Sequence, residues 1–218
     1  MTIQQNRQVD GGCEAVYAAS GCVWGVEPEP LLEALTARYP VDGRRVYDAG
    51  CGEGRNAVHL ARQGAHVTAV DVSARALRNA AETWPGEPRV EWRQADVLTT
   101  PPERAAYDVV LCDSVIHWLV SHAEARQLVR VLQDATRPGG AHLLCSFNDR
   151  AQDLSGHDNP PRLLLGHDRL LELYQGWEIW EVRDEDISSS HEGAWTPHRH
   201  SVTKFLARAP LAADGGTP

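Results

Sequence analysis

The chain has 218 residues, 42% of them apolar, which is enough for one sizeable core and a single domain. Its 21 Lys and Arg stand against 30 Asp and Glu, a formal net charge of -9, and that balance argues against a long nucleic-acid groove, which needs concentrated positive charge. No apolar run reaches the length of a membrane span, and the N-terminal MTIQQNRQVD lacks the basic and apolar stretches of a signal peptide, so the expectation is a cytoplasmic protein with no membrane partner.

In chain order, the first segment, to about residue 27, holds YAASGCVWG, rich in small and aromatic residues. Tyr17 and Trp24 are expected either to cover a ligand and keep water from it or to dock the segment on the surface. PEPLLEALTARY then places Leu31, Leu32, Leu35 and Tyr39 at helical spacing. Strand patterns follow at RRVYDA, HVTAVDV, RVEWRQ, YDVVLCD and GAHLLCSF, with helical stretches NAVHLARQG, SARALRNAAETW and HAEARQLVRVLQDAT between most of them. This alternation predicts a Rossmann-like α/β fold, a mostly parallel sheet with helices on both faces. Asp, Ser, Gly and paired prolines mark about 148–165 as a loop, expected to be a substrate lid. WEIWEVRDE and SVTKFLARA read as two final strands, a hairpin across the polar run that carries His191, Trp195 and Arg199. Five cysteines, odd in number and with no C-x-x-C pair, fit neither a disulfide framework nor a zinc ribbon.

The chemistry concentrates in VYDAGCGEGRN. Gly50, Gly52 and Gly54 fall where a strand hands over to a helix, permitting a tight turn and close approach of a ligand to bare backbone. The strand ends that follow carry Asp71, Asp96 and the pair Cys112 and Asp113, all on the rim where open parallel sheets bind ligands. Asp71 either accepts hydrogen bonds from ribose hydroxyls or caps the next helix, a role for which Ser73 competes. The spacing Gly50-x-Gly52-x-Gly54 departs from the dinucleotide pattern G-x-G-x-x-G. Asp48 at the mouth of the turn suits an ammonium or sulfonium group better than a pyrophosphate.

With these residues the chain resembles the class I S-adenosylmethionine-dependent methyltransferases, and is most similar to their small tellurite-resistance-type members. VYDAGCGEGRN, Asp71, QADVL and YDVVLCDSVIHW carry the cofactor half of the resemblance. LLELYQGWEIWEVRDED, His191 and TKFLARA carry the C-terminal half. It implies a seven-stranded sheet whose last strand is antiparallel. It also implies S-adenosyl-L-methionine as cofactor, with Asp48 and Gly50 beside its methionine part, Gly52 at the turn, Asp71 on the ribose, and Asp96 and Val97 flanking the adenine. Asp113 would lie near the reacting methyl group. His117 and Trp118 either line the acceptor pocket or pack a helix end.

The implied activity is methylation of a small-molecule acceptor, with a thiol or a selenium or tellurium oxyanion as the detoxification-type alternative. A nicotinamide-dependent oxidoreductase and a non-catalytic nucleotide-binding module are the competing classes. His191 is the candidate general base or else a polar loop residue. The family commonly has arginine after this histidine, whereas here Glu192 follows and would repel an anionic substrate. Arg199 either restores positive charge from across the hairpin or is a solvated strand-start residue. Trp177, Trp180 and Trp195 are available for an aromatic acceptor pocket or for the core. Zinc ligation by His191, His198 and His200 ranks below an acceptor pocket, and no metal site is expected.

Overall fold

The computed structural model describes residues 13–19, 21–154, 157, 159–189 and 198–212. Its strands are β1 (Arg45–Ala49), β2 (His66–Asp71), β3 (Val90–Gln94), β4 (Tyr107–Asp113), β5 (Thr136–Gln152), β6 (Glu178–Ser189) and β7 (His198–Arg208). The helices are α1 (Cys13–Ala19), α2 (Leu31–Arg38), α3 (Arg55–Arg62), α4 (Ala74–Thr83), α5 (His122–Ala135) and α6 (His167–Glu172), with a 3-10 turn at Ile116–Trp118. The sheet has seven strands in the order β3-β2-β1-β4-β5-β7-β6. The ladders from β3 to β5 are parallel, and β7 runs antiparallel between β5 and β6. The expected fold class is thus the observed one, last strand included.

Helices cover both faces, so the central strands are apolar almost throughout: in β4 every residue from Tyr107 to Cys112 is buried. One core lies under α5 and α6, where Leu128, Leu132 and Leu170 meet Val110, Leu144 and Phe205. The other lies under α2 and α3, where Leu31, Leu35 and Leu60 meet Val46, Val67 and Leu143. Side-chain oxygens of Ser73 and Ser121 cap α4 and α5 by accepting the Ala76 and Glu124 N–H groups.

The pattern reading differs from the structure in two places. β5 runs on to Gln152, so the first five residues of the expected lid, 148–152, are strand. Local composition could not signal this, because the polar run NDRAQ is held by β7: Gln152 pairs with His200, and its side-chain amide donates to the Asn148 and Ser201 carbonyls at 2.7 and 2.8 Å. The N-terminal segment contains a helix, α1. Of the two places open to Trp177 and Trp180, the structure gives both the core, each packing against one of the two clusters. They lie at the start of β6, on the sheet edge opposite the ligand rim, where Trp177 packs on His142 and Tyr174 and Trp180 on Tyr39.

Candidate active site

The turn after β1 fits its sequence for steric reasons. Gly50 and Gly54 have φ of 69° and 82°, and a Cβ at either would overlap Val115 or the Trp92 ring. Gly52, at φ 54°, lies directly under the Tyr17 hydroxyl, 3.0 Å from where its Cβ would stand. Three carboxylates converge on this turn from the ends of β1, β2 and β4.

Asp48 is almost completely buried, and its Oδ2 has no hydrogen-bond partner among the described residues. Burial and then the charges of Asp113 and Asp71 push its pKa from 3.8 up to about 8, against the opposing pull of Arg55 and the Ala57 backbone. A buried acceptor without a partner is costly, so this side chain is suited to a cationic ligand group. Asp71 accepts the Gly52 N–H at Oδ2 and the Ser73 N–H at Oδ1, both at 2.8 Å. The cap of α4 is Ser73, not Asp71, which removes the helix-cap alternative and leaves the Asp71 carboxylate as the brace of the glycine turn. Burial raises the Asp71 pKa despite these two donors.

Asp113 ends β4 as expected, and burial alone would raise its pKa. Arg55 beside it, with hydrogen bonds from Asn56 at 3.0 Å and Ser114 at 2.9 Å, holds it below the usual range. A carboxylate so committed is a poor proton acceptor, so its expected catalytic place narrows to orienting its neighbours. Asp96 caps its own loop, accepting the Leu98 N–H at 2.9 Å, while Val97 is buried in the core.

The N-terminal segment does pack at this turn. Trp24 donates its indole N–H to the Tyr17 hydroxyl at 3.1 Å, and both join a small apolar cluster with Trp118. Buried Glu53 ties this segment down by accepting the Cys22 N–H at 2.7 Å and the Asn79 amide at 2.9 Å. Glu14 accepts the Ser73 hydroxyl at the start of α4.

His117 is buried with its ring stacked on Phe147 at 4.4 Å, and burial pulls its pKa down to about 3. Its carbonyl accepts the Arg162 and Leu163 N–H groups at 2.8 and 3.2 Å, fastening the far end of the expected lid. Arg199 is not brought to the site: it alternates with the inward-facing His198 and His200, points outward and pairs with Asp186 at 2.7 Å. His191 and Trp195 lie outside the described residues.

Pattern reasoning missed five residues. Glu53, Arg55 and Asn56 sit inside the GEGRN stretch, and their charge next to glycines was an available signal. Glu29 and Lys204 are 175 positions apart, yet Lys204 Nζ lies 3.1 Å from Glu29 Oε1 and 3.3 Å from Glu185 Oε1 in a mostly buried cluster. Asn56 joins this cluster to Asp113 by accepting the Glu29 N–H at 2.8 Å.

Residues 46–140 match the family described as "Methyltransferase domain". An uncharacterised methyltransferase of Mycobacterium tuberculosis (strain H37Rv) is 33% identical over 119 residues, 55% of this chain and 57% of that protein. The chain spans about half the length of the curated relatives it matches. TehB from Haemophilus influenzae superposes with a TM-score of 0.71 at 19% identity, over 83% of this chain and 62% of that one. A structure concerned with conversion of a disulfide bond into a thioacetal group during echinomycin biosynthesis superposes at 0.70 with 23% identity, over 92% of each chain. The fold is thus the Rossmann-like, mostly parallel seven-stranded sheet shared with these solved structures, and residues 46–140 match a methyltransferase domain. No helix among the described residues is long and apolar enough to cross a membrane.

Proposed function

We propose that the protein transfers a methyl group from S-adenosylmethionine to a small organic acceptor at the rim between the glycine turn and the end of β4. The observation that carries this reading is Asp48, a buried carboxylate with an oxygen unpartnered among the described residues, beside a turn whose Gly50 and Gly54 leave no room for a Cβ. S-adenosylmethionine supplies, when bound, a methyl group already activated on a cationic sulfur. Asp48 and the Gly50 backbone would hold its methionine part. Asp71 would accept from the ribose hydroxyls with the oxygen lone pairs left over from Gly52 and Ser73. Asp96 and Val97 would flank the adenine, and Tyr17 and Trp24 would exclude water from above.

The work left to the protein is to place the acceptor in line and to take its proton where one impedes attack. His191 is the base on the family's pattern, and Asp113 orients through Arg55 and Asn56. His117 and Trp118 lie on the acceptor side. Arg55 is engaged by Asp113, and Lys204 by Glu29 and Glu185, so these two cations have little charge to spare for an oxyanion. That favours a neutral or proton-bearing organic acceptor over a selenium or tellurium oxyanion.

The test is calorimetry with S-adenosylhomocysteine, expected to bind on the order of 1–100 μM, followed by an acceptor screen with labelled S-adenosylmethionine. The screen includes phenols, amines, thiols and chalcogen oxyanions. Binding of a nicotinamide dinucleotide in place of either sulfur compound would overturn the reading. Cofactor binding with no transfer to any acceptor would reduce the protein to a binding module.

A further inference from the structure

At the same rim, beyond the acceptor side, three histidines meet. His198 and His200 face inward from the start of β7, and His157 comes from the segment after β5. Their Nε2 atoms converge: His157 lies 2.9 Å from His198 and 3.2 Å from His200, and all three fall within 4.8 Å of one another. We propose that His157, His198 and His200 form a binding site for a divalent transition-metal ion of the zinc class.

The Gln152 side-chain amide donates to the Asn148 and Ser201 carbonyls, which fixes its orientation and turns Oε1 toward His200 Nδ1 at 2.6 Å. His200 Nδ1 therefore carries the proton, and the Nε2 of the neutral ring presents a lone pair to the cluster. His157 Nε2 faces that lone pair and the His198 Nε2 at once. With neutral rings, His157 Nε2 offers one proton or one lone pair to these two contacts. A metal cation accepts all three lone pairs.

The spacing agrees. Zn–N bonds of about 2.0–2.1 Å at tetrahedral angles put ligand nitrogens roughly 3.3 Å apart, close to both contacts at His157. The second shell is of the usual kind, since a ligating imidazole normally gives its other N–H to a carbonyl or carboxylate, as His200 does to Gln152. An all-imidazole set selects zinc, cobalt, nickel or copper over magnesium and calcium, which prefer oxygen.

Phe147 stacks His200 at 4.3 Å on one side and His117 at 4.4 Å on the other, so the backing of the metal site is continuous with the turn after β4. The sequence suggests His191 beside His198 and His200; His191 lies outside the described residues, and among those the third histidine is His157. The strand pairing of β5 with β7 brings His157 to the other two, 41 and 43 positions away in the chain.

The metal site stands apart from the methyl-transfer reading and is tested without activity. The full chain, free of any polyhistidine tag and stripped with a chelator under reducing conditions, is titrated with Co2+ and with Zn2+. A single equivalent is expected, with the d–d absorption of a nitrogen-ligated, four- or five-coordinate cobalt ion that zinc displaces. His157→Ala and His198→Ala should each weaken zinc binding at least about 100-fold, consistent with the loss of one of three ligands. His157 is only half-buried and the former variant should retain the fold, which circular dichroism checks. Absence of stoichiometric cobalt binding overturns the proposal, as does equal binding by the wild type and a folded His157→Ala variant.

Discussion

Replacing Asp48 by Asn tests whether its charge is stored for a ligand. In the ligand-free protein the Asp48 pKa rises from 3.8 to about 8. Between these values the native state holds a proton that the unfolded chain has released, so stability falls as pH rises through the window and levels off above it. The slope is at most about 1.4 kcal/mol per pH unit from this one group, and between pH 6 and pH 8 the loss amounts to about 2 kcal/mol. Asparagine resembles the protonated acid in shape and cannot ionise. Urea unfolding at pH 6 and pH 8 should therefore show the wild type losing about 2 kcal/mol more than Asp48→Asn over that interval. Ligand binding carries the opposite sign: a cationic group favours ionised Asp48, so affinity for S-adenosylhomocysteine should rise with pH below 8, by up to about tenfold per unit. Asp48→Asn should bind weakly and without that pH term. Parallel pH profiles for the two proteins, in both unfolding and calorimetry, would refute the idea that Asp48 is a buried charge awaiting a cation.

Asp71→Asn should weaken S-adenosylhomocysteine binding by about 1–3 kcal/mol, read by calorimetry, because an amide group would also face the Gly52 or Ser73 N–H as a second donor. Gly54→Ala should destabilise the fold by more than about 2 kcal/mol, combining the left-handed conformation with overlap on Trp92. Unfolding of the Gly54→Ala, Trp92→Ala double variant should return the overlap part and leave the conformational part. Lys204→Met should cost about 3–5 kcal/mol because it strands the buried Glu29 carboxylate, and adding Glu29→Gln should recover much of it. Equal denaturation midpoints for the Lys204→Met single variant and the wild type would show that the pair contributes nothing.

The sequence by itself determined the repeating strand and helix units, the glycine turn and the carboxylates at the strand ends. These are legible because backbone period and steric demand act over a few residues: apolar faces recur at helical or strand spacing, and Gly50 and Gly54 stand where any side chain would strike Val115 or Trp92. Asp71 was visible in the same way, at the end of its strand, but only the structure separated it from the helix cap by giving that role to Ser73. What tertiary structure alone decided is which distant segments became lateral neighbours. Setting β7 beside β5 extended β5 through a polar run, carried His198 and His200 to His157, and turned Arg199 outward to Asp186. Docking α2 against β5 and β7 joined Glu29 to Lys204. No local period encodes such pairings, because the order of strands in a sheet is chosen by the packing free energy of the whole chain rather than by the conformational preference of any segment.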